Sequence, residues 1–312
     1  MLVAAALAAA STPPSRTPPR TLAQVPGVVR IHLGTRPDWV ALTPGAVWST
    51  QSRPDTLDRI DTGSNRVDAR VPLPGPACAG IATGLGSVWV PICGRNPAIV
   101  RVDPARARIL AILPVDAVLP ESAIAVGADS LWAPLGGTGT LARLDPETGR
   151  VRQRVRVPVG TAVPVYADGR IWATSPARAT LTVIDDASGR ITARIATAAS
   201  PRFAAVGAGS VWLLTQRDGT VERIDMRALR RTSRIAAHAA GHGGDIAFGE
   251  GRVWTSVPGK PLAAIDPARA VVDRTWTGPG GDALRAGGGA VWLTDAAHGD
   301  LLRLPVSALL AN

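Results

Sequence analysis

Gly209-Ser210-Val211-Trp212, answered further on by Arg223-Ile224-Asp225, is one copy of a phrase that this chain repeats. The first half recurs as Gly45-Ala46-Val47-Trp48, Gly86-Ser87-Val88-Trp89, Asp129-Ser130-Leu131-Trp132 and Gly169-Arg170-Ile171-Trp172. It returns twice more, as Gly251-Arg252-Val253-Trp254 and Gly289-Ala290-Val291-Trp292. The second half keeps the same beat: Arg59-Ile60-Asp61, Arg101-Val102-Asp103, Arg143-Leu144-Asp145, Val183-Ile184-Asp185 and Ala264-Ile265-Asp266, decaying to Arg303-Leu304-Pro305. The tryptophans stand 38 to 43 residues apart. Self-similarity at such a period marks a repeat architecture.

Turns follow the aspartates, as in Asp145-Pro146-Glu147-Thr148-Gly149. Asp opens such a turn, Pro presets φ, and Gly supplies the left-handed position. Between the marks lie short runs of alternating β-formers, four to a repeat. In the fourth repeat they fall at about 162–167, 170–174, 180–185 and 190–197. No helical period is expected beyond the N-terminal leader. The pattern predicts an all-β chain: a seven-bladed β-propeller of four-stranded antiparallel blades over residues 27–308. After Trp292 only one more strand fits, Leu301 to Val306. Residues 28–33 read like an outer strand and are expected to complete the last blade, which protects a sheet edge.

The chain has 312 residues, 46% of them apolar, enough for a large core in one unit. The formal charge is +10, but Lys260 is the only lysine and the arginines are spread through every repeat. A nucleic-acid binder clusters its cations on one element with aromatics interleaved, so no nucleic-acid partner is expected. Met1 to Ser11 reads as the apolar core and small-residue cleavage region of a clipped secretory signal. Residues 12–26, rich in Pro and Arg, read as a linker. No run is long enough to span a bilayer. The expectation is a periplasmic or secreted monomer.

Two cysteines without a CxxC spacing exclude a four-thiolate zinc site. If Ala82 faces Trp89 across the turn at Gly84-Leu85-Gly86, the same register sets Cys78 directly opposite Cys93. Facing Cα atoms lie about 4.5–5.5 Å apart, within disulfide range. A disulfide is expected on export, two free buried thiols otherwise.

The unit resembles the YVTN-type seven-bladed β-propeller repeat, in which a Val-Trp strand precedes an Arg-Ile-Asp-Pro-x-Thr-Gly turn. It also resembles the related virginiamycin B lyase-like propellers. The resemblance covers about residues 28 to 306. It implies a fold shared by envelope or secreted proteins. Through the lyase branch it implies proton abstraction from a cyclic ester by histidine and an acid near a divalent cation.

Equivalent blades give their tryptophans equivalent surroundings, so the seven repeat tryptophans are read as wedges between sheets. A selective site must break the sevenfold pattern. Ten residues before each repeat tryptophan stand Asp38, Ala79, Ser122, Ala162, Arg202, Gly244 and Asp282, followed by Trp39, Gly80, Ala123, Val163, Phe203, Asp245 and Ala283. Two Gly-Gly-Asp runs, 243–245 and 280–282, would allow close backbone approach. Asp38, Glu121, Ser122, Arg202, Asp245 and Asp282 are therefore the candidate ligand residues, at one mouth of the central channel. The ligand expected is a small polar molecule or a partner protein of the envelope. No metal site or cofactor is expected for this binding role. Under the lyase alternative a divalent cation enters, and His242, His298 and Glu121 are the catalytic candidates, with Asp245 nearby. His32 belongs to the outer strand and reads as structural.

Overall fold

A computed structural model describes residues 20–311 apart from residue 137. The segment read as a signal, and the first part of the stretch read as a linker, lie outside the described residues. Seven antiparallel sheets stand around an axis. Blade one is Pro37–Thr43, Ala46–Gln51, Thr56–Asp61 and Arg66–Pro72. Blades two to six follow the same plan. The fourth has strands Pro164–Ala167, Arg170–Ser175, Thr180–Asp185 and Ile191–Ala196. The first strand of every blade packs against the first strand of each neighbour, and the last blade's packs against blade one's, so the ring closes.

Blade seven takes its outer strand from the N-terminal side. Val29–His32 pairs antiparallel with Asp300–Pro305, Val29 facing Arg303 and His32 facing Asp300. The Arg20–Thr21 strand was not foreseen. It adds a fifth, parallel strand to blade six, opposite Trp276 and Thr277. Leu22 and Val25 behind it are buried with Trp254, Trp276 and Leu302. Two apolar side chains in a Pro/Arg-rich stretch were enough to dock it, which composition alone did not reveal. A short helix, Val306–Leu310, buries Val306 and Leu309 and closes the chain. At five residues it is too brief to show a helical period.

The repeated residues hold blades one, two, five and seven by one device. Trp48 faces Arg59 across the second and third strands, as Trp89 faces Arg101, Trp212 faces Arg223 and Trp292 faces Arg303. Each of these guanidinium groups lies 5.3–6.0 Å from its ring, a favourable cation–π distance. The arginine that faces the tryptophan in these blades is thus structural. All seven indoles are wholly buried. Their N–H groups need partners. In blades two, four, five, six and seven the partner is the carbonyl five residues back, from Gly84, Ala167, Gly207, Gly249 and Gly287. Trp48 uses the Thr43 hydroxyl instead. Trp132 reaches Asp186 of the next blade at 2.6 Å. The turn aspartates behave as read: Asp145 accepts from the N–H groups of Glu147 and Thr148.

Cys78 and Cys93 form a disulfide with Cα atoms 5.8 Å apart. The register argument for it needs correction. Ala82 does face Trp89, but nearer the cysteines Ala77 faces Ile92, and the Cys78 N–H donates to the Pro91 carbonyl. The pairing slips by two residues where the first strand gives way to the loop before Ala82. The cysteines therefore meet on a diagonal. The Cys78 carbonyl also accepts the Glu121 N–H at 2.8 Å, which ties the bond to the channel mouth. Removing it with Cys78→Ala/Cys93→Ala is expected to cost about 3 kcal/mol, the closure entropy of a loop of this length. Denaturant melts of the oxidised and double-alanine proteins measure it.

Candidate ligand site at the channel mouth

First strands from all seven blades line an axial channel of about 480 Å³, with Trp39, Phe203 and Phe248 among its walls. At the end where those strands begin, a second hollow of about 280 Å³ opens, sharing Trp39 and Phe203. Its lining brings together Arg36, Asp38, Glu121 and Asp282 from three different blades and the loops before them. Asp38 is part-buried, and Glu121 and Asp282 stand at the exposed rim. Burial pushes the Asp38 carboxyl up from 3.8 to about 7, helped by repulsion from Asp282, Glu121 and Asp245 and opposed by Arg36. Neither Asp38 nor Glu121 has a side-chain hydrogen bond to another described residue.

The two Gly-Gly-Asp runs interlock across blades six and seven. Asp282 Oδ1 accepts the Gly244 N–H at 2.7 Å. A Cβ at Gly243, where φ is +71°, would stand 2.1 Å from that same oxygen. Glycine is required there by both the left-handed backbone and the close approach. Asp245 is buried and turned into the channel, where it accepts from the Leu284 N–H at 3.2 Å and pairs with Arg285. Burial holds its carboxyl above the usual range, against the pull of Arg285. Asp245 is a satisfied buried charge of the channel wall.

Arg202 is half-buried, with its guanidinium 5.9 Å from the Phe203 ring and donating to the Glu121 carbonyl. The contact is to a backbone oxygen and not to an acid side chain. Burial lowers its pKa, and Glu121 raises it. Ser122 turns away from the mouth: it is wholly buried and its hydroxyl donates to the Leu119 carbonyl at 2.6 Å. That hydroxyl closes its own loop and is not available to a ligand.

His242 is exposed on the rim beside Gly243 and Gly244, which line the hollow. His298 is not brought to it. Its Nδ1 lies 2.8 Å from Asp295, and Arg30 of the outer strand stands 3.6 Å from the same oxygen. His32 Nδ1 lies 3.0 Å from Asp300. These groups fasten the N-terminal strand onto blade seven. The two histidines read as a catalytic pair are thus separated in role: His298 is held by Asp295 in a turn of which Ala296, not the histidine, lines the hollow. Among the described residues no three His, Cys, Asp or Glu side chains are grouped to hold a metal ion.

Three further lining residues were missed: Trp39, Thr50 and Gln51. All are at least nine-tenths buried, at 6%, 2% and 6% exposure. The Trp39 Nε1, the Thr50 hydroxyl and both amide atoms of Gln51 have no partner. Such buried polar groups are normally satisfied, and orphans call for an explanation. A signal for Gln51 was in the repeat. Three residues beyond each tryptophan stand Gln51, Ile92, Leu135, Ser175, Thr215, Val257 and Asp295, and only blade one has an amide.

Fold and mouth together define a seven-bladed propeller with an asymmetric polar hollow on the axis. Solved structures share that architecture. A streptogramin B lyase is similar with a TM-score of 0.74 at 17% identity, over 88% of this chain and 96% of that one. The virginiamycin B lyase of Staphylococcus aureus is similar with a TM-score of 0.75 at 16% identity, over 89% and 98%. Identity this low speaks for the fold alone. No family model matches the chain, and no curated protein matches it. No helix among the described residues is long and apolar enough to cross a membrane. The disulfide is compatible with an extracellular compartment.

Proposed function

We propose that this chain is an exported, non-catalytic binding propeller that takes a small polar ligand in the mouth hollow. The carrying observation is the set of orphaned polar groups there. Trp39, Thr50 and Gln51 are buried without partners, beside a carboxyl whose charge is suppressed. Convergent polar groups fix a ligand's orientation, and here they make up much of the lining beside Trp39 and Phe203. The disulfide supports export to the periplasm or beyond, and a monomer is the proposed state. The test is native mass spectrometry and metabolite extraction of protein purified from its own host's envelope. Wild type is expected to carry a small molecule that Asp38→Asn/Glu121→Gln loses with no fall in melting temperature. Equal loading of both proteins would remove the mouth as the site.

A second reading, lyase-like opening of a cyclic ester, is favoured by the fold shared with two lyases and by His242 on the rim. The described carboxylates and histidines are not grouped to fit a divalent cation, so no step is drawn through one. Incubation with a streptogramin B, with and without Mg²⁺, and with His242→Ala as control, separates the readings. The binding role predicts intact substrate in every arm.

A further inference from the structure

We infer that the mouth hollow selects a small organic cation, a molecule bearing a protonated amine or a guanidinium. The inference rests on the mouth being a ligand site and names the chemistry it accepts. Three carboxylates, Asp38, Glu121 and Asp282, reach one hollow of about 280 Å³ from separate blades, against the single cation Arg36 in its lining. Asp245 repels Asp38 from the channel side, but its own charge is answered by Arg285. The carboxylates are not grouped closely enough to chelate a metal ion. They therefore suit a charge spread over several atoms, or one carried on a short chain that spans them.

The independent observation is the neighbouring wall. Gln51 Oε1 and the Thr50 hydroxyl are buried without donors, and Gln51 Nε2 and the Trp39 N–H are buried without acceptors. The two oxygens complement N–H groups of a kind that amines and guanidinium groups carry in excess. Trp39 and Phe203 supply aromatic surface, to which cations are drawn. The chain already uses this chemistry beside the site, where the Arg202 guanidinium lies near Phe203 and donates to the Glu121 carbonyl. An anion would meet three carboxylates there, and a neutral ligand would leave the part-buried Asp38 with Arg36 alone as counter-charge.

The test is isothermal titration of the intact protein with four probes: agmatine, 1,4-butanediol, succinate and MgCl₂. Agmatine is expected to bind, and the other three are not. Asp38→Asn and Glu121→Gln should each weaken agmatine at least tenfold, the scale of a lost charge-assisted hydrogen bond. These two side chains carry no internal hydrogen bond, so both variants are expected to fold, and Arg217→Ala outside the hollow serves as the control. Affinity should be about tenfold higher at pH 8 than at pH 6, because Asp38 must give up its proton to meet a cation. Butanediol or succinate binding that both variants abolish would overturn the cation and keep the mouth. Mg²⁺ binding that displaces agmatine would replace the organic cation with a metal. Agmatine binding untouched by either variant, or no binding by any probe, would overturn the inference. If the envelope-purified protein still carries a molecule that the double variant loses, the binding role survives either result.

Discussion

Trp132→Ala is expected to lower the unfolding free energy by about 4 kcal/mol, the cost of emptying a buried aromatic site, and to exceed the same change at Trp172. The two indoles are equally buried. They differ in what their N–H leaves behind. Trp172 donates to the Ala167 carbonyl, at 3.4 Å. Trp132 donates to the Asp186 carboxylate, which is 3% exposed and, among the described residues, accepts one other hydrogen bond, from the Ala128 N–H at 2.8 Å. A buried charge stripped of one of two donors costs more than a carbonyl that loses a weak one. Trp→Phe at each position isolates the term. The expected cost is about 2 kcal/mol at 132 and about 1 kcal/mol at 172 beyond the shape change. Asp186→Ala should couple to Trp132→Phe in a double-mutant cycle, since each removes the same bond. Urea melts of the four proteins provide the numbers. Independent, additive effects would mean that the indole and the carboxylate do not bridge blades three and four.

The second large effect is a loss of stability as pH rises through the Asp38 titration. Its folded pKa of about 7 lies above the unfolded 3.8, so the folded chain holds a proton that the unfolded chain releases. The Asp38 contribution is complete below pH 3.8 and is lost progressively up to about pH 7. The full shift corresponds to about 4 kcal/mol, and solvent at the mouth reduces the expected loss to about 2–4 kcal/mol. The turn aspartates have the opposite sign. Asp266 is held down at about 2 by the backbone N–H and guanidinium of Arg269, so its change is over below the window that matters. Asp38→Asn should therefore flatten the fall between pH 4.5 and 7.5 and be more stable than wild type at pH 8. Parallel curves for the two proteins would show that Asp38 ionises normally.

The blades were legible because one face-to-face pair, Trp against Arg, recurs in register and leaves its mark on the sequence seven times for Trp. The closing strand was legible because 28–33 matches the outer strands of other repeats. Arg20–Thr21 was not, since a two-residue strand leaves no pattern, and its anchor lies in two isolated side chains, Leu22 and Val25. The disulfide was right as a pair and wrong in register, because a slip at the loop moves partners by two residues without separating the cysteines. At the mouth, Asp38, Glu121 and Asp282 stood out as departures from the repeat. Ser122 stood out equally, but whether its hydroxyl faces the hollow or the Leu119 carbonyl depends on a loop conformation. Arg285 and Arg36 were hidden because their importance comes from which carboxylate each faces, a relation between blades.

The most direct test of the account is a crystal soaked with agmatine, examined by difference density at the two ends of the axis. The account predicts density bounded by Asp38, Glu121, Asp282 and Gln51, with nitrogen atoms on the carboxylates. Density at the opposite end, or between outer strands with the mouth filled by ordered water alone, would contradict it.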